Sequence, residues 1–487
     1  MAYFGHIFLW YTTPLALLYG VVIRTNGGTL TVNAPNDTMH HYGNLDTLTV
    51  TAIKNASYHE NGAVVNVANL TAGRIVVEQG GYIKEVELAS TATKTTAAVV
   101  VNGYVGVVDS SAIASAEDKV EATGSGYVAH NGSSEATAMG NSELVITSIG
   151  TLADLHLFRD KVNSGAWDSN LTAKLTSDID LTGVVWSPIG NNNHPFSGTF
   201  DGQNHTIKGL TNAGYLVDAD SVFTTTTTAT TGAQYGFFGL ADSGDTTIRN
   251  IIFEDVAIDL AEGQSVGACL GRGGDNGTYN LTIDNIKVIG NSYVKANKDV
   301  GGITGKLYQK GTVVIQKCEN NANIEGYLDA AESRAAGISS FISGSSNITI
   351  NNCTNNGDVS FDRTGTLVCG IAIVKCGNNS VNVTISKNTN TGVLKGRCDY
   401  TYSQPNSGGM LDKYENRIGY VVGLFNDLGT ITAKNNSNSG SYNDTASKQT
   451  SCYLVSNVEG KTAWISPTDP NYASNAYYPR TELNVND

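Results

Sequence analysis

The sequence predicts an all-β chain wound as a parallel β-helix, in two stacked-coil blocks with one short capping helix between them. Three observations predict it. Glycine is abundant at 54 residues, proline is rare at 8, and charged residues make up only 15% of the 487. That is too rich in β-branched residues for disorder, and the Leu, Ala, Glu and Lys stretches of long helices are missing. Strand-length runs with period two follow one another with no helix-length segment between them. Finally, "VGACLG" at Val266, "VGGITG" at Val300, "AAGISS" at Ala335 and "VCGIAI" at Val368 recur at intervals of 34, 35 and 33 residues. Such a unit cannot bury its apolar face alone, and stacking makes a continuous core.

Residues 1–24 come first. Ile7 to Ile23 is largely apolar, but no Lys or Arg precedes it, and Pro14 and two threonines interrupt it. It is read as an internal start whose apolar residues cover the first coil, with a degenerate signal peptide or a membrane span as alternatives. Residues 25–146 form the N-terminal solenoid. Its runs are "TLTVNA" from Thr29, "TLTVTAI" from Thr47, "VVNVANL" from Val64, "RIVVEQG" from Arg74, "KEVELAS" from Lys84 and "AAVVVNG" from Ala97. The first two are offset by 18 residues, and Gly, Asn or Asp bounds each.

The capping helix is expected over 151–164, in "TLADLHLFRDKVNSG". Thr151 and Asp154 make a capping signature, Leu152, Leu155, Phe158 and Val162 form an apolar stripe, and Gly165 stops it. Its position before new coils predicts that it plugs the end of the second stack. The second block then spans 147–440. Each unit adds a second strand and an asparagine turn, as in "VVIQKCENNANIEG" and "ITINNCTNNGDVSF". Ile315, Ile350 and Ile385 align as inward positions. Cys318, Cys353, Asn388 and Asn436 align, as do Asn320, Asn355, Asn390 and Asn438. These columns predict buried ladders, in which stacked amides satisfy polar turns. Three strands per unit suggest a triangular coil. The fifth unit, at Ile418, is delayed by an insertion containing "YSQPNSGGMLDKYENR", and residues 441–487 form a C-terminal tail or cap.

The stretches "LADLHLFRDKVNSG", "LTSDIDLTGVVWSPIG", "PFSGTFDGQNHTIKGL" and "YGFFGLADSGDTTIRNIIFEDVAI" together resemble the opening units of bacterial surface β-helices carrying GLUG repeats. "VGGITG" and "AAGISS" look like the repeat itself. The resemblance covers residues 147–440, and it implies a right-handed parallel β-helix on an exported protein, at the cell surface or outside the cell. It does not imply one activity, since such repeats accompany adhesins and some surface peptidases as accessory modules. The peptidase pattern is missing: "HENG" at His59 lacks the second histidine of HExxH. No sorting motif or basic tail ends the chain, which is expected to be part of something longer or a monomeric rod.

Four groups of residues carry candidate chemistry. Asp178, Asp180 and Asp201 could supply paired carboxylates for glycoside hydrolysis. Alternation in "DIDL" instead puts the first two on an outer strand face, and Asp201 opens "DGQN", a backbone turn between two strands. A lyase would need a basic residue beside a cation-binding carboxylate cluster, and Lys and Arg are sparse. His40, His41 and His59, with Tyr42 and Tyr58, recur one coil apart, as a surface ladder or a metal site. Cys318 over Cys353 reads as two small buried thiols rather than a disulfide. Within "WSPIGNNNHPFSGTFDGQNHTIKGL", Trp186, Phe196, Phe200, Ile207 and Leu210 read as core, leaving the loop Asn191, Asn192, Asn193 and His194 as the candidate ligand contact. No catalytic residue, metal ligand or cofactor is expected.

With 30 Lys plus Arg against 44 Asp plus Glu, the net charge is −14 and no basic cluster tracks phosphates, which disfavours nucleic acid. Tyrosines outnumber phenylalanines 23 to 12, and flat polar-tipped rings suit sugar faces. The expected function is an adhesin-like or glycan-binding stalk without catalysis, with glycans or host surface molecules as partners. The alternatives are a polysaccharide lyase or glycosidase on the same fold, and a purely structural spacer. The threonine run from Thr224 is read as an inserted loop.

Overall fold

The computed structural model describes residues 7–9, 21–54, 58–89, 98–109, 120–124, 126–131, 139–140, 146–213, 233–261, 263–274, 278–327, 333–345, 347–361, 367–375, 381–396, 417–419, 422–425, 430–444, 456–458 and 461–463. Most of the apolar start, the threonine run, the insertion before Arg417, Cys376, Cys398, Cys452 and most of the tail lie outside the described residues. The architecture is an all-β parallel β-helix. The chain separates into two compact units, one of residues 1–161 with 179–185 and one of 162–178 with 186–487.

The first unit has two sheets, parallel except where Tyr127–Asn131 pairs antiparallel with Met139–Gly140, and the chain alternates between them. One sheet stacks Thr29–Ala34, Asn44–Ile53, Ala63–Leu70, Tyr82–Leu88, Tyr104–Asp109 and Tyr127–Asn131, and the other stacks Val21–Arg24, Met39–Tyr42, Tyr58–Glu60, Ile75–Val77, Val99–Val101 and Val120–Ala122. The six runs legible in the sequence therefore divide between two walls of each coil. Thr29 pairs with Thr47 as their offset predicts. Leu30, Leu48, Val50, Ile75, Ile83, Val99 and Val105 fill the interior. Coils close tightly at a glycine column, where a Cβ on Gly62 would lie 2.0 Å from the Gly43 carbonyl oxygen.

Helix α1 runs from Leu152 to Asn163. Its start is a reciprocal cap: Asp154 N–H donates to Thr151 Oγ1, and Thr151 N–H to Asp154 Oδ2, both at 3.1 Å. Leu155, Phe158 and Val162 are buried as the stripe requires, but so is the polar side. Its buried polar side chains meet a tyrosine column of the first unit. His156 stacks on Tyr82 at 4.3 Å and on Tyr104 at 5.3 Å, and the Tyr104 hydroxyl donates to Asp160. The reason is aromatic: the register places Tyr82, Tyr104 and Tyr127 in one column, a ready platform for an imidazole.

In the second unit each coil has four walls rather than three. The first wall stacks Thr172–Leu175, Gly198–Lys208, Thr246–Glu254, Leu281–Ile289, Thr312–Gln316, Asn347–Asn351, Asn382–Ser386 and Thr430–Lys434. The second stacks Ala257–Leu260, Tyr293–Ala296, Asn323–Gly326, Val359–Phe361, Leu394–Gly396 and Tyr442–Asp444. The segment read as one strand in "VGGITG" is two. It breaks into a third wall (Gly263–Gly267, Asp299–Gly301, Arg334–Ala336, Leu367–Cys369) and a fourth (Leu270–Gly273, Thr304–Leu307, Ser339–Ser343, Ala372–Lys375). At Gly302 the break leaves no room for a side chain, because a Cβ there would lie 2.5 Å from the Asn320 amide carbon.

"DGQN" is likewise no turn between strands. Gly198–Lys208 is one strand, bulged between Asp201 and His205. Gln203 and Asn204 take left-handed conformations there, with φ of 52° and 64°. The same corner is left-handed in every later coil, at Asn250, Asn285, Lys317, Asn352, Lys387 and Asn435. Asparagine suits it, having a short side chain that bonds locally. Trp186 is fully buried and stacks on Phe237 at 5.2 Å, and Phe196, Phe200, Ile207 and Leu210 are buried as expected. Among the described residues no helix is long and apolar enough to cross a membrane.

Candidate functional site

The predicted carboxylates are engaged separately. Asp201 is only 3% exposed and accepts hydrogen bonds from Arg249 Nε and Asn250 Nδ2 at 2.9 Å and from Gln203 N–H at 3.0 Å. Burial raises its pKa, but these donors outweigh it and hold the carboxyl below the ordinary range. A carboxylate saturated this way fastens the bulge and has no proton to give. Asp178 accepts from Thr206 N–H at 2.8 Å, which lowers its pKa, and pairs with His205 at 3.1 Å. Asp180 accepts from Thr182 N–H at 2.8 Å.

The histidines split by strand alternation. His40 and His59 face outward and stack at 4.4 Å, as a surface ladder would, and His59 Nδ1 lies 2.6 Å from Glu78. His41 and Tyr58, expected on that surface, face inward and are fully buried with Glu60. His41 Nδ1 meets Glu60 Oε1 at 2.8 Å, Tyr58 donates to Glu60 Oε2 at 3.1 Å, and Thr25 Oγ1 lies 3.2 Å from His41 Nε2. Burial, then the Glu60 charge, pushes the Tyr58 phenol far up. The group closes a coil corner. Among the described residues no group of three or more His, Cys, Asp or Glu side chains is placed to hold a metal ion.

The loop at Asn191 is folded on itself. Asn191 Oδ1 accepts from Asn193 N–H at 2.9 Å and His194 N–H at 2.7 Å, and its Nδ2 donates to Asn163 O at 3.1 Å. Asn192, Asn193 and His194 are exposed around that turn. The ladder residues do meet. Asn320 Nδ2 donates to Asn355 Oδ1, Asn355 to Asn390 and Asn390 to Asn438, each at 2.8 Å. Cys318 and Cys353 are free, buried thiols, and burial, followed by the Cys353 contact, raises the Cys318 pKa.

One of the exposed tyrosines, Tyr293, stands on the second wall. Register places Ala257, Tyr293 and Asn323 in one outward column and Asp259, Lys295, Glu325, Ser360 and Lys395 in the next. Ile258, Val294, Ile324, Val359 and Leu394 point inward and are buried, so packed core holds the face. Lys295 Nζ lies 3.0 Å from Glu325 Oε1 and 4.5 Å from the Tyr327 ring centroid. The Tyr327 hydroxyl donates to Asp259. Burial, then that bond, pushes its pKa up to about 12, so the hydroxyl stays protonated. Asn212 clamps the Asp259 backbone with bonds of 2.7 and 2.8 Å. Tyr293 is 42% exposed beside them. A flat ring, carboxylates, an amide and an ammonium thus lie on a regular grid, with strands about 4.8 Å apart.

No protein-family model matches the sequence, and no curated protein matches it. Among solved structures, the crystal structure of a putative immunoglobulin A1 protease from Bacteroides ovatus is similar with a TM-score of 0.41. The identity is 20%, over 66% of this chain and 79% of that one.

Sequence reasoning singled out exposed tyrosine as a type without locating this grid. The signal was present: "SYVKA" and "ANIEG" occupy equivalent strands, so alternate residues had to share one outer face. The left-handed corner column was equally legible, as the residue before each aligned Cys or Asn.

Proposed function

We propose that this chain is an exported, GLUG-type surface β-helix whose second wall binds glycans without catalysis. The observation that supports it is the grid of Tyr293, Lys295, Glu325, Tyr327 and Asp259 on a packed wall. Tyrosine rings cover the C–H face of a sugar, and neighbouring carboxylates and amides accept and donate to its hydroxyls. The internal pairing of Lys295 with Glu325 and of Tyr327 with Asp259 orients the polar groups before a ligand arrives, which lowers the cost of ordering them. The setting is extracellular or at the cell surface, with glycans or host surface molecules as partners.

A glycan array run beside reducing-sugar assays tests this reading. Retention of a glycan by the wild-type chain, lost in the Tyr293→Ala/Tyr327→Ala double variant and with no new reducing ends, is the expected result. Turnover that disappears in Asp201→Asn would replace binding with catalysis. Silence in both assays would leave a spacer.

A further inference from the structure

One inward column of the first unit runs Ile23, His41, Glu60, Val77 in register. A histidine and a carboxylate are thus enclosed between two apolar side chains, and neither is exposed. Glu60 is held from three sides. Its Oε1 lies 2.8 Å from His41 Nδ1 and accepts from Gly62 N–H at 2.8 Å, and its Oε2 accepts from the Tyr58 hydroxyl at 3.1 Å. With Nδ1–H donating to a carboxylate, a neutral imidazole carries its lone pair on Nε2. The partner of Nε2 is the Thr25 hydroxyl at 3.2 Å.

Thr25 is the half-buried member of the chain of bonds, at its outer end. It follows the strand Val21–Arg24 and opens a turn that runs to Gly28 and is pinned to the next coil. Thr25 N–H donates to Tyr42 O at 3.3 Å, Asn26 Oδ1 accepts from Asn44 N–H at 3.1 Å, and Gly28 N–H donates to Asp46 Oδ2 at 2.7 Å. A Cβ on Gly27 or Gly28 would meet nothing within 4 Å, so the turn borders open space. Asn26 N–H, next after Thr25, makes no hydrogen bond among the described residues.

We infer that Thr25, His41 and Glu60 act as nucleophile, general base and orienting carboxylate in the hydrolysis of small carboxylic esters, an acetyl ester being the type. A corner that only holds coils together is served by neutral amides, as in the second unit. A buried acid–base pair whose remaining nitrogen faces a half-buried alcohol is the order that activates a nucleophile. Thr25 Oγ1 adds to the ester carbonyl carbon as its proton passes to His41 Nε2. The bond to the leaving oxygen then breaks, and Nε2–H returns that proton to the alcohol. Water attacks the acyl-threonine by the same exchange, so ester and water become acid and alcohol and Thr25 is regenerated. Asn26 N–H is the donor that follows the nucleophile in the chain and is available to the oxyanion. Because His41 is enclosed, only a small group brings its leaving oxygen to Nε2, which selects a small ester over a peptide. Glu60 is a positioning residue that fixes the ring. The site belongs to the first unit and does not rest on sugar binding by the second wall.

The full chain, given p-nitrophenyl acetate and, separately, a fluorophosphonate, tests this. Sustained turnover of the ester and one phosphonyl group on Thr25, located by peptide mass mapping, are expected. Thr25→Ala should lower turnover by at least about a hundredfold and abolish the label, while Thr25→Ser keeps both. Glu60→Gln, kept at a temperature where circular dichroism shows it folded, should lower kcat and kcat/KM equally, which a merely structural carboxylate would not do. Unchanged turnover in Thr25→Ala, a label confined to other residues, or a wild-type chain with neither turnover nor label overturns the site.

Discussion

The two units close their corners with different chemistry. In the first, a buried corner is ionisable: His41 meets Glu60 across neighbouring coils, and Tyr58 donates to Glu60 within one strand. In the second, the corner is neutral: Asn320, Asn355, Asn390 and Asn438 pass one amide bond from coil to coil. An amide carries donor and acceptor together, so each copy satisfies the copy before it and invites the next. An acid–base pair closes on itself and must be reinvented in each coil. The difference accords with the second unit repeating more clearly in sequence than the first.

The largest expected effect comes from breaking the amide column at its centre. Asn355→Leu leaves Asn320 and Asn390 facing an apolar side chain and should cost about 2–4 kcal/mol in chemical denaturation. Asn438→Leu, at the half-buried end of the column, should cost clearly less. Equal costs would show that the bonds do not act as a column. Next comes Glu60→Gln, which keeps a hydrogen-bonding side chain but removes the charge facing His41 and should cost roughly 2 kcal/mol. A loss confined to strands of the first unit, seen by limited proteolysis, is the matching observation.

Acid sharpens the contrast further. Burial, then Arg159, holds the His156 pKa well below its ordinary 6.5. The unfolded chain therefore takes up that proton first as pH falls. Stability contributed by neutral His156 is fully present above pH 6.5 and declines below it, so thermal melts should show the first unit weakening. His156→Phe should remove much of that slope; an unchanged slope would locate it elsewhere. The smallest effect is at the left-handed corner. Lys387, at a φ of 56°, carries a Cβ where glycine is at ease, so Lys387→Gly should stabilise by about 1 kcal/mol.

The fold was legible because its determinants are periodic. Alternation buried Phe200 and Ile207, and the aligned Ile315, Ile350 and Ile385 do share a register. What escaped depended on contacts between coils. Nothing local to "VGGITG" says that Gly302 must fold back against Asn320 and make two walls of one run. Nothing near His156 says that its platform is a column of tyrosines from earlier coils, Tyr82 and Tyr104 among them. The grid at Tyr293 is assembled likewise, from residues about one coil apart that are ordinary until stacked.

The contrast between a local acid–base corner and an amide column is tested most directly by amide hydrogen exchange in the Glu60→Gln and Asn355→Leu variants. Asn355→Leu should lower protection in Glu319–Asn320 and Thr389–Asn390 together, whereas Glu60→Gln should lower it only in Met39–Tyr42 and Tyr58–Glu60. Equal loss of protection in both sets would contradict the account.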